Sequence, residues 1–476
     1  MADVLDDLFG DDEAPTTTAS QSNDDGAHPF RDVPQRLRDA ASEALSSVHA
    51  TVAELSKRPE WVRIANALAA ASAAVVSSDA DSASAAAEHA ACAEAALWEL
   101  LQERKQWPEP CTREAFIASQ VILAWATVAR CASEADVGAA AVAATRHLDR
   151  AFVMCGRPEL VVMIGFIEAF VPQREAVSGG MLPARCDMGG VDVDTIASAG
   201  GIARMQPSEE TATLGDVAAT FEAAYFRKRT PVVLANGLIT KGWAALEAWR
   251  DVGALATAHG HRIVPVEVGR HSHGGHDGAD SSSSWRECFL TLGEFVDQFL
   301  RPSLQRFPED LKASPRGSLP PAAAVGYVAQ HGLFEQIPKL LRDIRPPAVI
   351  ANRCNGGRGV LKMNTWLGTH GTVTPLHYDS YDNFLVQVAG AKYVRLYAVD
   401  QTPFLHADDA GAGGNLAQRN ICPVDVEHPD LERFPKFAEA VHTDVVLLPG
   451  DALFIPQGVW HYVRSLAPSF SVNFWF

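Results

Sequence analysis

The spacing of apolar residues divides the chain into a helical first half and a strand-rich second half. Between residues 34 and 173, apolar residues recur three and four positions apart and alanine is abundant, which predicts amphipathic helices. The stretch from 113 to 135 shows one such apolar face, formed by Phe116, Ile117, Val121, Ile122, Trp125 and Val128. We expect four to six helices, packed as a bundle or a solenoid.

The second half contains short apolar stretches rich in β-branched and aromatic residues, separated by Pro-Gly, Asn-Gly and Gly-Ala. Such stretches predict strands, and short strands without long helices between them favour a sandwich or a barrel. The predicted strands lie within residues 230–238, 261–269, 383–390, 392–399, 444–456 and 469–476.

These patterns suggest an α+β chain with four segments. Residues 1–30 carry eight acidic residues and no Lys or Arg, a composition that predicts a disordered acidic tail. Residues 31–175 form the predicted helical domain, and residues 176–213, rich in Gly, Ser and Ala, form a predicted linker. The strand-rich domain extends from 214 to 476.

Composition and charge restrict the class of partner. The 476 residues are 47% hydrophobic with a formal charge of −18 and no extended basic patch, so direct binding to nucleic acid is not expected. The eight cysteines form no CxxC pair, and the longest apolar run, residues 160–171, is too short to span a bilayer. We therefore expect a nuclear or cytosolic protein without a membrane partner.

Candidate chemistry lies in the strand-like stretch 374–397, which carries several polar residues where a core is expected. In an extended strand, His377 and Asp379 point to the same face because they are two residues apart. Alone, His-x-Asp is a weak signal, typical of surface hydrogen bonding. A distant His461, which by itself could be a packed core histidine, would complete the two-histidine, one-carboxylate set that binds non-haem Fe(II).

Lys392 opens a strand that is expected to be buried, and a buried ammonium group needs an anion. A dicarboxylate such as 2-oxoglutarate would supply one, with Thr374 and Asn383 close enough in sequence to donate further hydrogen bonds. The alternative is a surface lysine whose charged end reaches the solvent.

Several stretches of the second half resemble the JmjC domain of Fe(II)- and 2-oxoglutarate-dependent oxygenases. The resemblance covers more than half of the chain and is closest to the branch that acts as arginyl hydroxylase or lysine demethylase. The matching stretches are TPVVLANGL, VPVEVG, GYVAQHGLFEQIP, NTWLGTHGTVTPLHYDSYDNFLVQVAGAKYVRLY, VDVEHPDLERFPKF and PGDALFIPQGVWHYVRSLAPSFSVNFWF.

The resemblance implies a double-stranded β-helix, a cupin-like jelly roll, that follows the helical domain. It implies Fe(II) bound by His377, Asp379 and His461, with O₂ as the oxidant. It also implies that 2-oxoglutarate contacts Tyr327, Thr374, Asn383 and Lys392.

The resemblance leaves the substrate open between arginine and methyl-lysine in a protein or peptide. Glu267, which alternates with valines, is our candidate partner for an arginine side chain, with Gln330 and Trp366 as further substrate-pocket residues. No aromatic cage for methyl-lysine is evident in the matching stretches. Arginine hydroxylation is therefore the main hypothesis. The alternatives are histone methyl-lysine demethylation, a non-catalytic binding scaffold and a cupin-like protein with another metal. The helical domain is a candidate site for a protein partner.

Overall fold

A computed structural model of the chain describes twelve segments. They are residues 33–45, 48–77, 80–103, 110–131, 133–172, 179–184, 201–206, 214–269, 286–313, 325–351, 360–407 and 420–476. The predicted acidic tail lies outside these segments. Within them, no helix is both long enough and apolar enough to cross a membrane.

The first half is helical, as the spacing of its apolar residues predicts. Its helices are Val33–Ala44 (α1), Val48–Leu55 (α2), Val62–Ser77 (α3), Ala80–Glu103 (α4), Pro110–Ala129 (α5), Val137–Cys155 (α6) and Pro158–Glu168 (α7). The described residues of this half thus contain seven α-helices, and the prediction of four to six is too low. The periodicity of apolar residues identifies a helical stretch but not the short breaks within it, such as residues 56–61 between α2 and α3, so it undercounts the helices.

Helix α5 lies at the centre of this half and packs against α4, α6, α1 and α2. The prediction of one apolar face is too narrow, because residues on every side of the helix are buried. Ser119, Leu123 and Ala126, which lie opposite the predicted face, are all buried. Small residues, such as alanine and serine, leave room for neighbouring helices to approach closely, so a helix can be buried all round without a continuous ring of large apolar side chains.

The second half contains two β-sheets, as expected for a jelly roll. The strands are Arg204–Met205 (β1), Val232–Leu234 (β2), Ile263–Gly269 (β3), Arg286–Thr291 (β4), Val325–His331 (β5), Lys362–Gly368 (β6), Val373–Tyr378 (β7), Asn383–Ala389 (β8), Lys392–Tyr397 (β9), Thr443–Leu447 (β10), Ala452–Ile455 (β11), Trp460–Ser465 (β12) and Ser469–Trp475 (β13). The larger sheet has the order β1-β2-β11-β8-β13-β6-β5-β3-β4, and the smaller sheet has the order β10-β9-β12-β7.

Short helices accompany these strands. They are Leu214–Phe221 (α8), Ala245–Ala248 (α9), Val252–His259 (α10), Leu292–Phe295 (α11), Arg301–Ala313 (α12), Leu333–Gln336 (α13) and Ala348–Ala351 (α14). π-helical turns follow α8 and α11, so that a helical stretch runs without interruption from Leu292 to Ala313.

Successive side chains of a strand point to opposite faces of a sheet, and the two faces of the larger sheet have different surroundings, as β13 shows. In β13, Phe470, Val472 and Phe474 pack into the core beneath the short helices. Asn473 and Trp475 point the other way and line a cavity between the two sheets. The site described below therefore lies inside the jelly roll, with the apolar core on the outer face of the larger sheet.

Part of the segment predicted as a linker belongs to the larger sheet. Arg204 and Met205 pair in parallel with Val233 and Leu234 of β2, and Arg204 forms an ion pair with the fully buried Asp451. The glycine- and serine-rich composition of residues 176–213 does not reveal this strand, because β1 has only two residues.

The two halves of the chain meet at a buried ion pair. Asp149 of α6 and Arg262, which precedes β3, have fully buried side chains and approach to 2.7 Å. Asp149 also accepts a hydrogen bond from the backbone N–H of Ile263 at 2.9 Å. Nearby, Trp98 of α4 packs on Phe289 of β4 with ring centroids 5.1 Å apart. The helical half therefore packs against β3 and β4 at one side of the larger sheet.

Candidate active site

Strand pairing brings together the three predicted metal ligands. His377 of β7 and His461 of β12 are direct partners in the register of the smaller sheet, and their ring centroids are 4.1 Å apart. Asp379 follows β7 immediately, with its carboxylate oxygens 3.8 Å from Nε2 of His377 and 3.6 Å from Nε2 of His461. One potential ligand atom from each of the three residues lies within 4.8 Å of the others, and this is the one such group in the described segments.

Backbone contacts orient both imidazole rings. Nδ1 of His377 lies 2.8 Å from the carbonyl oxygen of Pro375, and Nδ1 of His461 lies 3.1 Å from that of Val459. These contacts favour the tautomer with the proton on Nδ1, which leaves the Nε2 lone pairs directed toward Asp379. Burial and the neighbouring His461 lower the pKa of His377. Its imidazole is therefore neutral at neutral pH, the form that can bind a metal ion.

Lys392 lies at the other end of the same cavity. Its side chain is 1% exposed, and its Nζ donates a hydrogen bond of 3.3 Å to the hydroxyl of Tyr327. Burial lowers its pKa to about 7, and among the described residues it has no ion-pair partner. The surface-lysine alternative is therefore excluded by the position of Lys392.

Tyr327 and Thr374 complete this end of the cavity. A hydrogen bond joins their hydroxyl groups, and burial raises the pKa of Tyr327. Gly368 is the register partner of Tyr327 on β6, and a Cβ atom there would lie 2.6 Å from the tyrosine ring. Any larger residue at this position would therefore displace the Tyr327 ring.

The turn before Lys392 determines where β9 begins. Gly390 has a φ of 72°, a left-handed conformation that glycine adopts without a steric penalty. With Ala391 it carries the chain from β8 in the larger sheet to β9 in the smaller sheet. Lys392 is the first residue after this turn, and its side chain enters the cavity.

Asn383 lies between the two ends. Its Nδ2 donates to Oδ2 of Asp379 at 3.1 Å, and its Oδ1 accepts from Nδ2 of Asn473 at 3.3 Å. The side chain is therefore bonded to a candidate metal ligand. Its predicted contact with 2-oxoglutarate remains a prediction.

The structure separates the predicted substrate-pocket residues. Trp366 and Gln330 line the cavity, and the φ of Gln330 is 47° at a point where the β5–β6 register shifts. Glu267 instead lies on β3, opposite Tyr327, and is not among the residues that line the cavity. Burial and the neighbouring Glu287 raise the pKa of Glu267 to about 7.

Four aromatic side chains surround the site, and only two of them, Tyr327 and Trp366, were predicted from the sequence to line it. Tyr327 and Trp366 have ring centroids 5.8 Å apart, and Tyr381 and Trp475 have centroids 5.7 Å apart. Tyr381 and Trp475 are far apart in the sequence, so no local motif identifies them as a pair. The strand alternation that places Phe474 in the core could have indicated that Trp475 faces inward.

The cavity opens to the surface through a groove. The inner cavity shares His377, Asp379 and Trp475 with a wider groove. Tyr381, at the rim of the groove, is 44% exposed. A side chain from another molecule can therefore reach His377 and Asp379 from outside.

The residues present fit Fe(II) and an anionic co-substrate. Two neutral imidazole nitrogens and one carboxylate are the donor set of non-haem Fe(II) sites, and they leave open coordination positions. The buried ammonium group of Lys392, without a described counter-charge, suits a carboxylate at the far end of the cavity. Both parts of the site line the same cavity.

Comparisons with known proteins agree with this architecture. The family profile of the cupin-like domain matches residues 218–476. JmjC domain-containing protein F of Dictyostelium discoideum is 34% identical over 290 residues, which cover 54% of this chain and 59% of that protein. Lysine-specific demethylase 8 of Danio rerio is 37% identical over 260 residues, 54% of this chain and 55% of that protein.

A third relative is Jumonji C domain-containing protein 5 of Drosophila melanogaster. It is 34% identical over 255 residues, which cover 54% of this chain and 56% of that protein. The aligned region spans about half the length of the curated relatives that the chain matches. The matched profile covers more than half of the chain and includes all three candidate ligands, and the chain therefore belongs to the cupin-like domain family, among its JmjC proteins.

Proposed function

We propose that this protein is an Fe(II)- and 2-oxoglutarate-dependent oxygenase that hydroxylates a protein side chain, with arginine as the target residue. One observation carries the proposal. A cavity open to the surface holds two imidazoles and a carboxylate at one end and, at the other, the buried Lys392, which has no ion-pair partner among the described residues. A site for a metal alone would not need the lysine, and a structural core would not contain it.

The proposed roles follow from these positions. His377, Asp379 and His461 would bind Fe(II), and Lys392, Tyr327 and Thr374 would bind the distal carboxylate of 2-oxoglutarate. When bound, Fe(II) with 2-oxoglutarate and O₂ supplies the oxidising power that places one oxygen atom in a C–H bond and the other in succinate, with release of CO₂.

The protein's own contribution is binding, orientation and exclusion of water. The carbonyl groups of Pro375 and Val459 fix the two imidazoles, while Leu385, Ile455 and Val463 line the cavity between the sheets. In this apolar surrounding, the charge of Lys392 acts through a low dielectric, so a carboxylate is held more strongly than it would be in water.

The positions of two neighbouring carboxylates, Glu267 and Glu287, support a positively charged side chain as the target. Glu267 and Glu287 are direct cross-strand partners on β3 and β4, and burial raises the pKa of both. Like charges in this position destabilise a sheet, and a guanidinium group can donate to two carboxylates at once. Glu267 lies beside Tyr327 of the cavity wall, so we propose that it contacts the target arginine.

Mass spectrometry of peptides treated with the full chain, Fe(II) and 2-oxoglutarate tests this proposal. A gain of one oxygen atom on arginine is the expected result. Loss of methylene units from methyl-lysine would instead indicate demethylation.

Changing Glu267 to Ala tests the role of this carboxylate. Peptide oxidation should fall by about 10- to 100-fold, as expected for a lost hydrogen bond to a charged group, while 2-oxoglutarate turnover without peptide changes little. Glu247→Ala, at an exposed surface pair, is the matched control. Equal loss of both activities in the Glu267 variant would count against a substrate role.

Methyl-lysine demethylation is the second candidate. The aromatic side chains of Tyr327, Trp366, Tyr381 and Trp475 could accept a methylammonium group by cation–π contacts, and Lys392 already lies 5.8 Å from the Trp366 ring centroid. A non-catalytic scaffold is the third, and absence of Fe(II)-dependent succinate formation would favour it. A nuclear or cytosolic location and a protein partner for the helical half remain predictions.

A further inference from the structure

We propose that Asn473 is a positioning residue that fixes, through Asn383, the orientation of the Asp379 carboxylate. The inference deepens the proposed function, because it rests on Asp379 as a metal ligand. It concerns a chain of side-chain hydrogen bonds that begins at Trp366, passes through the two asparagines and ends at Asp379.

The chain is continuous from the larger sheet to the candidate ligand. Nε1 of Trp366 donates to Oδ1 of Asn473 at 3.0 Å. Nδ2 of Asn473 donates to Oδ1 of Asn383 at 3.3 Å, and Nδ2 of Asn383 donates to Oδ2 of Asp379 at 3.1 Å. A second donor, Nε1 of Trp475, reaches the same Oδ2 at 3.2 Å.

The residues at the two ends of the chain, Trp366 and Asp379, determine which atom donates and which accepts in every hydrogen bond between them. An indole N–H can only donate, and an ionised carboxylate can only accept. Trp366 therefore requires the oxygen of Asn473 to face it, which turns the Asn473 amide nitrogen toward Asn383. The oxygen of Asn383 must then face Asn473, and its amide nitrogen must face Asp379.

Burial makes this direction costly to reverse. Asn473 is 1% exposed and Asn383 is 5% exposed, so water cannot readily replace a lost partner. If the Asn383 amide turned over, its oxygen would face the carboxylate, and two acceptors would meet in a low-dielectric site. With the observed direction, Oδ2 of Asp379 accepts two N–H groups, which holds the carboxylate still and leaves Oδ1 for the metal.

Metal affinity of the full chain tests the inference without any turnover. We would titrate Mn²⁺ alone by EPR and record the visible spectrum of bound Co²⁺, which reports coordination geometry. Asn473→Leu removes both hydrogen bonds of the amide at similar volume and without a charge. Trp366→Phe removes only the N–H at the start of the chain, and Trp475→Phe removes the second donor to Asp379.

Ser471→Ala is the matched control. Ser471 lies on β13 two residues before Asn473, is fully buried and donates to Gln387, but it is not among the residues that line the cavity. This variant loses one buried hydrogen bond on the same strand.

We expect Asn473→Leu and Trp475→Phe to weaken Mn²⁺ binding by about 10-fold or more, the usual effect of removing a group that orients a ligand. Trp366→Phe should weaken it less and change the Co²⁺ spectrum, and Ser471→Ala should match the wild type. Binding within about twofold of wild type in both Asn473→Leu and Trp366→Phe would overturn the inference.

Two further outcomes are decisive. If Asn473→Leu does not fold, as judged by thermal melting, Trp366→Phe decides, and an unchanged Mn²⁺ affinity and Co²⁺ spectrum in that variant would overturn the inference. A wild-type chain that binds neither Mn²⁺ nor Co²⁺ would instead remove the proposed function, and this inference with it.

Discussion

At the scale of single residues, burial decides which polar side chains are informative. The sequence singles out His377 and Asp379 by their spacing and Lys392 by its place in an apolar strand, and the structure brings all three to one cavity. It does not place Glu267 among the residues that line the cavity. The alternation of side chains along β3 predicts which face of the sheet Glu267 lies on, but not how far it lies from the metal ligands. Asn473 lies in no local motif, and only its hydrogen bonds with Trp366 and Asn383, on two other strands, give it a role.

Lys392→Met should stabilise the protein in the absence of co-substrate. The pKa of Lys392 is about 7 in the folded state against 10.5 as the ordinary value, so its burial opposes folding. This penalty is present in full below pH 7 and disappears as the pH rises through 10.5. Methionine fills the same space without a charge, so the variant should be more stable by a few kcal/mol near pH 7.

Urea denaturation at several pH values measures this difference. The advantage of Lys392→Met should shrink steadily between pH 7 and 10, while 2-oxoglutarate binding is lost at every pH. Lys362→Met, at an exposed position on β6, is the control and should change neither quantity. An advantage that does not depend on pH would show that the stabilisation does not come from the buried charge.

At the scale of elements, the periodicity of apolar residues predicted whether a segment forms a helix or a strand. It predicted less well what each helix or strand packs against. The strands that contain Val232, Ile263, Asn383, Lys392 and Ser469 lie where the pattern predicts them. The strand β4 was not predicted, because its alternation includes charged and polar residues. The pairing of β7 with β12, on which the site depends, joins residues more than eighty positions apart, and no local pattern reports such pairing.

Ala126→Lys tests the finding that α5 is buried on all sides. Ala126 lies opposite the predicted apolar face and is fully buried, so a lysine there would place an unpaired charge in the core of the helical half. We expect a loss of about 3 kcal/mol or more in the free energy of unfolding. Thr127→Lys, at a partly exposed position of the same helix, should cost much less. Equal stability of the two variants would mean that α5 has one solvent-exposed face.

At the scale of the whole molecule, the buried Asp149–Arg262 pair joins the helical half to the jelly roll. The residues stand 113 positions apart, and neither lies in a motif, so the sequence predicted two domains but not how they meet. Arg262 also donates to the carbonyl of Gln336 at 2.8 Å, and Gln336 contacts His331 of β5. The junction is therefore continuous with the strand that carries Tyr327.

Asp149→Asn should destabilise the chain strongly, because it leaves the fully buried guanidinium of Arg262 without its main counter-charge. Breaking a buried pair costs about 3–5 kcal/mol, which chemical denaturation measures. The control is Glu114→Gln, which removes a partly exposed ion pair to Arg157 within the helical half and should cost about 1 kcal/mol or less. Similar losses in both variants would contradict the assigned importance of the junction.

The rate of succinate formation from 2-oxoglutarate, dependent on added Fe(II), tests the central claim most directly. The wild-type chain should form succinate, and His377→Ala and Asp379→Ala should abolish it while thermal melting remains close to wild type. His428→Ala, at a surface position with a 79% exposed side chain, should keep the wild-type rate. Succinate formation at the wild-type rate in His377→Ala or Asp379→Ala would contradict the account.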